Sequence, residues 1–414
     1  MIFSTNMSRK EQGVRVSYAQ AVYGKEEIAA VVRVLSNPSK IAPGASVAEF
    51  EKKIAKLFGK RAGVMTNSGS SANLLAIESL KLPRGSEVIT PVLTFSTTVA
   101  PLVQKGLIPV FVDVGEGTYQ IDVNQIEKAI SKKTRALIIP SLLGNIPDLE
   151  RIQRIAKKHN LFFIEDSCDV LGAAFAGKPT GKYSHISTTS FYATHAITAA
   201  AAGGMVCVND PALERRVRIM AAWGRNSTLF GAYEKSEDIK KRFAGKIDGK
   251  TYDAKFIFSE VGYNLQPSEL NAAFALEQLK RLKKFTRTRN RRFKELYAFF
   301  KRHERFFILP RALKKAKTSF MSFPITIKPH APFTRVEITK YLEEANVQTR
   351  PIFTGTITRQ PAYKNVLHRK ATSSFPVSDY IMRHGFLLGA HQGMTTVQMS
   401  YLKKTLATFL KKYS

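Results

Sequence analysis

One hydroxyl, Ser190, and one imidazole, His195, stand five residues apart where a β-rich run ending near Phe191 and Tyr192 gives way to small residues. A second strand pattern, 204–208, follows, entered through the Gly203-Gly204 pair. An imidazole near its natural pKa can take up and return a proton at neutral pH, and strand exits in α/β proteins are where such groups are usually mounted. No lysine occurs between Lys182 and Lys235, in a chain with 64 Lys and Arg.

Three other stretches could act with this pair. Asn67-Ser68-Gly69-Ser70-Ser71 lies between a strand pattern from Val64 and a helical one carrying Leu74, Leu75, Ile77 and Leu80. Backbone N–H groups and hydroxyls at a positive helix end suit a phosphate. Neither the nucleotide P-loop nor the dinucleotide fingerprint is present. Glu165-Asp166-Ser167-Cys168-Asp169 directly follows an apolar strand. Its carboxylates could hold a divalent metal, cap a helix or pair with a protonated nitrogen. A metal would want further clustered ligands, and His185 and His195 are the only histidines nearby in sequence, so no metal site is expected. Phe95, in the loop 91–96, could stack on a planar ring. A phosphate held by Gly69, Ser70 and Ser190, a nitrogen paired with Asp166 and a ring face set by Phe95 together meet the demands of pyridoxal phosphate. Each of these residues alone is more simply explained as structural.

Alternating elements must bring these residues together. Strand patterns at 87–90, 109–112, 136–140 and 161–164 alternate with helical ones ending at Gln104 and spanning 122–131 and 149–158. That spacing predicts an α/β fold with a large, mostly parallel sheet covered on both faces, its strand exits along one edge. Ahead of it lie an N-terminal arm, 1–25, and helices over 25–35 and 47–58; after it come a helix over 211–222 and a polar connection to about 254. The large domain is expected over 26–267. A long helix from Ser268 to about Phe300 then leads into a smaller α/β domain within 268–414, with strands at 319–325 and 347–352 and helices at 335–344 and 396–411.

Length and composition, 414 residues with 44% hydrophobic, suit two globular domains. The net charge of +32 permits attraction to polyanions. Its densest part, 280–302, interleaves basic residues with Leu282, Phe285, Phe293, Leu296 and Phe300 at helical spacing. A solvated helix face explains that run, a polyanion or membrane contact being the other reading; no nucleic-acid motif accompanies it, and no specific nucleic-acid contact is expected. No apolar run of about 18 residues predicts a transmembrane helix, and the N-terminal stretch does not read as a signal peptide. Cys168 and Cys207, in apolar strand-like surroundings, read as buried thiols of a reducing, cytoplasmic compartment.

Four motifs carry a resemblance: T-N-S-G-S-S-A-N-L-L-A (66–76), E-D-S-C-D-V-L-G (165–172), S-F-Y-A-T-H-A-I-T (190–198) with G-G-M-V (203–206), and G-Y-N-L-Q-P-S-E-L-N-A-A (262–273). In this order, over about residues 15–410, the chain resembles the DegT/DnrJ/EryC1/StrS sugar aminotransferase family. The resemblance implies the fold type I architecture of pyridoxal phosphate (PLP) enzymes and a homodimer with active sites at the subunit interface. It implies that Gly69, Ser70 and Ser190 bind the cofactor phosphate, Asp166 pairs with the pyridine nitrogen and Phe95 stacks on the ring. Asn264 would reach the phosphate site of the partner subunit.

At position 195 the aminotransferases of this family carry the lysine that bonds to the cofactor, a bond histidine cannot form. With the later G-T-I-T-R-Q-P (355–361), His195 makes the chain similar to the nucleotide-sugar 3-dehydratase subgroup of deoxysugar biosynthesis, including that of lipopolysaccharide O-antigen. That similarity implies PLP or pyridoxamine phosphate (PMP) as cofactor and His195 as base. It also implies a nucleotide-diphosphate 4-keto-6-deoxy sugar losing its C3 hydroxyl, and L-glutamate as amine donor. The reductase-coupled branch of the subgroup carries four cysteines for an iron–sulfur cluster, some just beyond a W-G-R segment. Here Trp223-Gly224-Arg225 is followed by Asn226-Ser227-Thr228-Leu229-Phe230, and two cysteines cannot furnish four thiolates, so no iron–sulfur cluster is expected. The chain departs from the subgroup at Ala193, Ala196, Ala202 and Thr356, where proline, histidine, glutamate and asparagine are usual. Arg225, Arg350 and Arg359 are candidates for substrate phosphate or glutamate, whose oxygens suit a guanidinium fork. Two other functions stay open: a sugar aminotransferase that works without the lysine, and a non-catalytic cofactor- or polyanion-binding protein.

Overall fold

Short runs rich in apolar and β-branched residues become the strands of the central sheet: β1 (Ala62–Thr66), β2 (Glu87–Pro91), β3 (Ile108–Val112), β4 (Thr134–Pro140), β5 (Phe162–Asp166), β6 (Ile186–Ser190) and β7 (Gly204–Val208). They are seen in a computed structural model that describes residues 13–231 and 237–413. The first twelve residues of the expected arm, and 232–236 of the polar connection, lie outside the described residues. The strand order is β1-β7-β6-β5-β4-β2-β3, with the short strand Arg369–Lys370 added beside β3. Only β7 runs antiparallel to its sheet neighbours; every other pair in this sheet is parallel. The ends of β4, β5 and β6 therefore share one edge, where Asp166 pairs with Pro140 and Thr188.

Strand side chains alternate between the two faces. Ile138 and Ile164 pack with Ala72 and Leu75 of α3 (Gly69–Ser79), and with Val217 of α7 (Pro211–Ala221). Their neighbours Leu137 and Phe163 face the other way, onto Ile126 and Ile152 of the helices Val123–Ala129 and Leu149–Lys158. Both faces are thus dry, as a parallel sheet requires.

One 33-residue helix, Glu269–Lys301, begins at an N-cap box formed by Ser268 and Asn271. At ~1.5 Å per residue it spans roughly 50 Å and joins the two lobes. Its first half packs Ala272, Ala275 and Phe285 on the large sheet, and its second half gives Leu296 and Phe300 to the smaller lobe. There a four-stranded antiparallel sheet runs Phe307–Ile308, Phe323–Ile327, Gly385–Leu388, Thr349–Pro351, covered by helices Arg335–Glu344 and Thr396–Leu410. Val16 of the arm bridges Val347 of this lobe and is buried.

Three local expectations are revised. The strand placed at 319–325 starts at Phe323, because Phe320 turns to stack on Phe293 and the Met321 N–H donates to the Leu143 carbonyl. The polar connection contains a hairpin, Gly245–Ile247 with Lys250–Tyr252, turned through Asp248-Gly249, both at positive φ (50° and 77°). A helix, Pro376–His384, and its following strand went unread; both are short, opening at Pro376 and Gly385. Among the described residues no helix is long and apolar enough to cross a membrane.

Candidate active site

The loop that ends β1 turns directly into α3, whose N-cap hydroxyl, Ser68 Oγ, accepts the Ser71 N–H at 3.1 Å. Gly69, the first residue of α3, lies against the end of β6. A Cβ there would sit 2.6 Å from the Ser190 Cβ and 2.9 Å from the Cys168 Sγ, so only glycine lets the helix start approach. The approach sets helix N-terminus and Ser190 hydroxyl side by side, a cradle for an anion. It forms one wall of a cavity of about 300 Å³ that Ser70, Phe95, Asp166 and His195 also line.

Asp166, the last residue of β5, is 4% exposed. Its Oδ2 accepts from Asn73 Nδ2 at 2.9 Å and from the Thr98 hydroxyl at 2.8 Å, and its Oδ1 from the Cys168 N–H at 3.2 Å. Three donors from separate elements leave the carboxylate one orientation. Phe95, N-cap of the helix Ser96–Gln104, is 51% exposed and meets Phe353 edge to face at 5.8 Å, so a large aromatic surface stands open over the cavity.

His195 lies in the crossing between β6 and β7, which contains no regular element. Its N–H donates to the Tyr192 carbonyl at 3.1 Å, and the two rings meet edge to face. Burial, then the Arg289 charge, lower its pKa to about 4, against weaker opposing pulls from Asp166 and from main-chain groups of Ser190 and Cys168. At neutral pH the ring is an uncharged proton acceptor. Its Nδ1, buried, has no hydrogen-bond partner among the described residues, and neither does the Ser141 hydroxyl on the same cavity wall.

Gly69, Ser70, Phe95, Asp166, Ser190 and His195, from five places in the sequence, thus border one cavity. Arg225, Arg350, Arg359 and Asn264 do not border it. The Arg225 guanidinium lies 4.2 Å above the Trp223 ring and lines a separate groove of about 820 Å³. Arg350 sits over the Tyr18 ring, and Arg359 forks onto Asp379 with two contacts of 2.6 Å. Asn264 bridges Ala222 through its backbone. His185 accepts the Phe163 N–H at the far end of the strands, away from Asp166.

Sequence reasoning missed Asn73 and Thr98, and placed Asp169 in a carboxylate run without a role of its own. Asn73 lies in the quoted Gly/Ser motif and Thr98 three residues beyond Phe95, so their places were marked though their contacts were not. Asp169 closes the quoted carboxylate run, lines the cavity and accepts the Leu143 N–H at 2.8 Å. Burial raises its pKa to about 7; the Leu143 N–H opposes this, Asp166 adds to it and Arg289 opposes it. Cys168 is corrected: it lies beyond β5, half-buried at the cavity, while Cys207 is buried in β7 as expected.

A model of the DegT/DnrJ/EryC1/StrS aminotransferase family matches residues 22–407. The chain is 37% identical over 385 residues to dTDP-4-dehydro-2,6-dideoxy-D-glucose 3-dehydratase of Saccharopolyspora spinosa, covering 91% of this chain and 82% of that one. It is 33% identical over 405 residues to GDP-4-keto-6-deoxy-D-mannose 3-dehydratase of Yersinia pseudotuberculosis, covering 95% and 98%. A crystal structure of GDP-4-keto-6-deoxymannose-3-dehydratase with a trapped PLP-glutamate geminal diamine superposes with a TM-score of 0.83 at 26% identity, over 94% of this chain and all of that one.

Proposed function

This chain belongs to the DegT/DnrJ/EryC1/StrS aminotransferase family, and we propose that within it the protein is a PLP/PMP-dependent 3-dehydratase of nucleotide-linked 4-keto-6-deoxy sugars. One observation carries the reading: an uncharged histidine, His195, stands at the cavity, and no lysine is among its lining residues. Such a site cannot tether the cofactor and can move a proton.

The residues fit the cofactor. The Gly69 approach to Ser190, with Ser70 beside it, suits the phosphate; the oriented Asp166 carboxylate suits a protonated ring nitrogen; the open face of Phe95 suits the ring. When bound, the cofactor supplies an electron sink beside the substrate carbon. Asp166, held by Asn73 and Thr98, keeps the ring nitrogen's proton in place. His195 accepts a proton at its unpartnered ring nitrogen and returns it as the C3 hydroxyl leaves. Asp166 is itself buried, and the lower local dielectric strengthens its charge contacts.

L-Glutamate is the proposed amine donor, by likeness to the solved relative that carries PLP and glutamate. Overall, sugar and glutamate yield the 3-deoxy-4-keto sugar, 2-oxoglutarate and ammonia. Arg225, Arg350 and Arg359 are proposed contacts for the substrate diphosphate or glutamate, Arg359 by exchanging Asp379 for the ligand. Asn264, outside its own chain's cavity, is proposed to serve the phosphate site of a partner subunit in a homodimer. The division into arm (1–25), large domain (26–267) and small domain (268–414), and a cytoplasmic location suggested by two free thiols, belong to the same reading.

The two curated relatives act on dTDP- and GDP-linked sugars, so both substrate types enter the test. Protein, PLP, glutamate and either 4-keto-6-deoxy sugar nucleotide are incubated without a reductase, and products are resolved by mass. A 3-deoxy-4-keto product with ammonia is expected. An amino sugar would instead make the protein a transaminase.

A further inference from the structure

A crossing of small residues without helix or strand cannot hold His195 by itself, and the long helix Glu269–Lys301 holds it from behind. Asn271, Gln278 and Arg289 are separated by 7 and 11 residues, close to whole turns, and so lie on one stripe of that helix. Asn271 Nδ2 donates to the Ala199 carbonyl at 2.9 Å, and Gln278 Oε1 accepts the Thr198 N–H at 3.4 Å. Arg289 Nη2 donates to the His195 carbonyl at 2.6 Å and to the Thr194 carbonyl at 3.4 Å.

Arg289 is unusual in that it is 2% exposed. Its Nε donates to Gln392 Oε1 at 2.6 Å, while Nη1 has no partner among the described residues. A buried cation with an unpaired donor costs stability, so a hydrophobic residue of the same shape would pack better unless the charge serves something. The groups around it are Asp169 from the loop beyond β5, Tyr18 from the arm, and His195 and His391.

We propose that Arg289 is a positioning residue for His195, clamping its main chain and keeping a positive charge beside its ring. The clamp holds the imidazole at the cavity wall; the charge disfavours protonation of the ring before substrate arrives. Gln392 ties the same guanidinium to the smaller lobe, so the base is held in register with it. The inference rests on the reading of His195 as the base.

The test uses the full-length protein carrying ¹³Cε1-histidine, with His195→Asn identifying one resonance among eight histidines. In the parent this ring is expected to titrate near 4, and Arg289→Met should raise it by about one unit. Arg289→Lys keeps the charge and loses the fork, so the ring titration stays while kcat of the dehydration falls about tenfold. Equal loss of turnover in both variants with an unmoved ring titration would reduce Arg289 to a structural residue and overturn the proposal, as would parent-like behaviour of both. Should Arg289→Met fail to melt cooperatively, Arg289→Lys and Gln392→Leu decide: kcat should fall at unchanged KM, and parent-like kcat in both rejects the clamp. The ring titration needs no substrate. A shifted ring without any dehydration would keep the positioning role and reject the dehydratase reading instead.

Discussion

The Asn73 side chain donates to Asp166 Oδ2 at 2.9 Å while accepting from the Thr188 hydroxyl at 2.6 Å, so a helix and a neighbouring strand jointly aim the carboxylate that ends β5. That second contact fixes which end of the amide faces Asp166. Asn73→Ala removes one charge-assisted bond and leaves the Thr188 hydroxyl unpaired. A bond of that kind contributes ~1.5–3 kcal/mol, so PLP affinity should fall about tenfold or more, read by absorbance titration. Asp166→Asn should weaken it further, because the neutral amide no longer favours a protonated ring nitrogen.

Gly69→Ala tests the cradle by shape alone. The new methyl would press on the Ser190 Cβ and the Cys168 Sγ, at 2.6 Å and 2.9 Å, and push α3 away from β6. Phosphate binding should fall by at least an order of magnitude, measured as competition by inorganic phosphate against PLP. A smaller substitution cost, Ser70→Ala, removes only a hydroxyl that already pairs with Thr97 at 2.9 Å, and is expected to be several-fold weaker in effect.

His195→Asn leaves the cavity walls standing and removes the proton acceptor. Turnover should fall ~10²–10⁴-fold, the usual range for a general base. The variant should still bind PLP within a few-fold of the parent, since the cradle rests on the approach of Gly69 to Ser190 and the carboxylate is held by Asn73 and Thr98. Loss of cofactor and activity together would assign His195 to binding.

Much of this site was legible because β strands announce their ends. The apolar run before Asp166, the β-branched run before Ser190 and the Gly/Ser run after Val64 mark three exits, and a parallel sheet puts exits on one edge. What joins them was not legible. Asn73 reaches both Asp166 and Thr188 only because β6 lies beside β5, with α3 packed over β6. Neither spacing nor propensity encodes that order. Arg289 was hidden for a related reason: it sits in a run of basic residues read as a solvated face, and most of that run is exposed, yet its own turn of the helix points inward. The helix and strand at 376–388 escaped because nine and four residues are too few for a period to emerge.

Asp169 gives a pH signature that separates it from its neighbours. Its carboxyl, raised by burial to about 7, keeps its proton in the native protein where the unfolded chain has released it, near ~3.9. Between these values the native state binds more protons, so this group lowers stability as pH rises from about 4 to about 7. His195 and His391, lowered by burial to about 4, act oppositely: their unfolded rings take up protons below ~6.5, and stability is lost as pH falls. The raw melting curve mixes both trends, whereas the difference between Asp169→Asn and parent isolates the carboxyl. With cofactor-free protein, the thermal midpoint of the variant relative to the parent should rise between pH 5 and pH 8. Below about pH 4 the carboxyl is protonated in both the native and the unfolded chain and nearly matches the amide in shape, so the midpoints should converge there, and by pH 5 the variant should already lead. A difference that stays constant across the range would mean that Asp169 titrates like an exposed carboxylate and that Arg289 and the Leu143 N–H satisfy its charge in full.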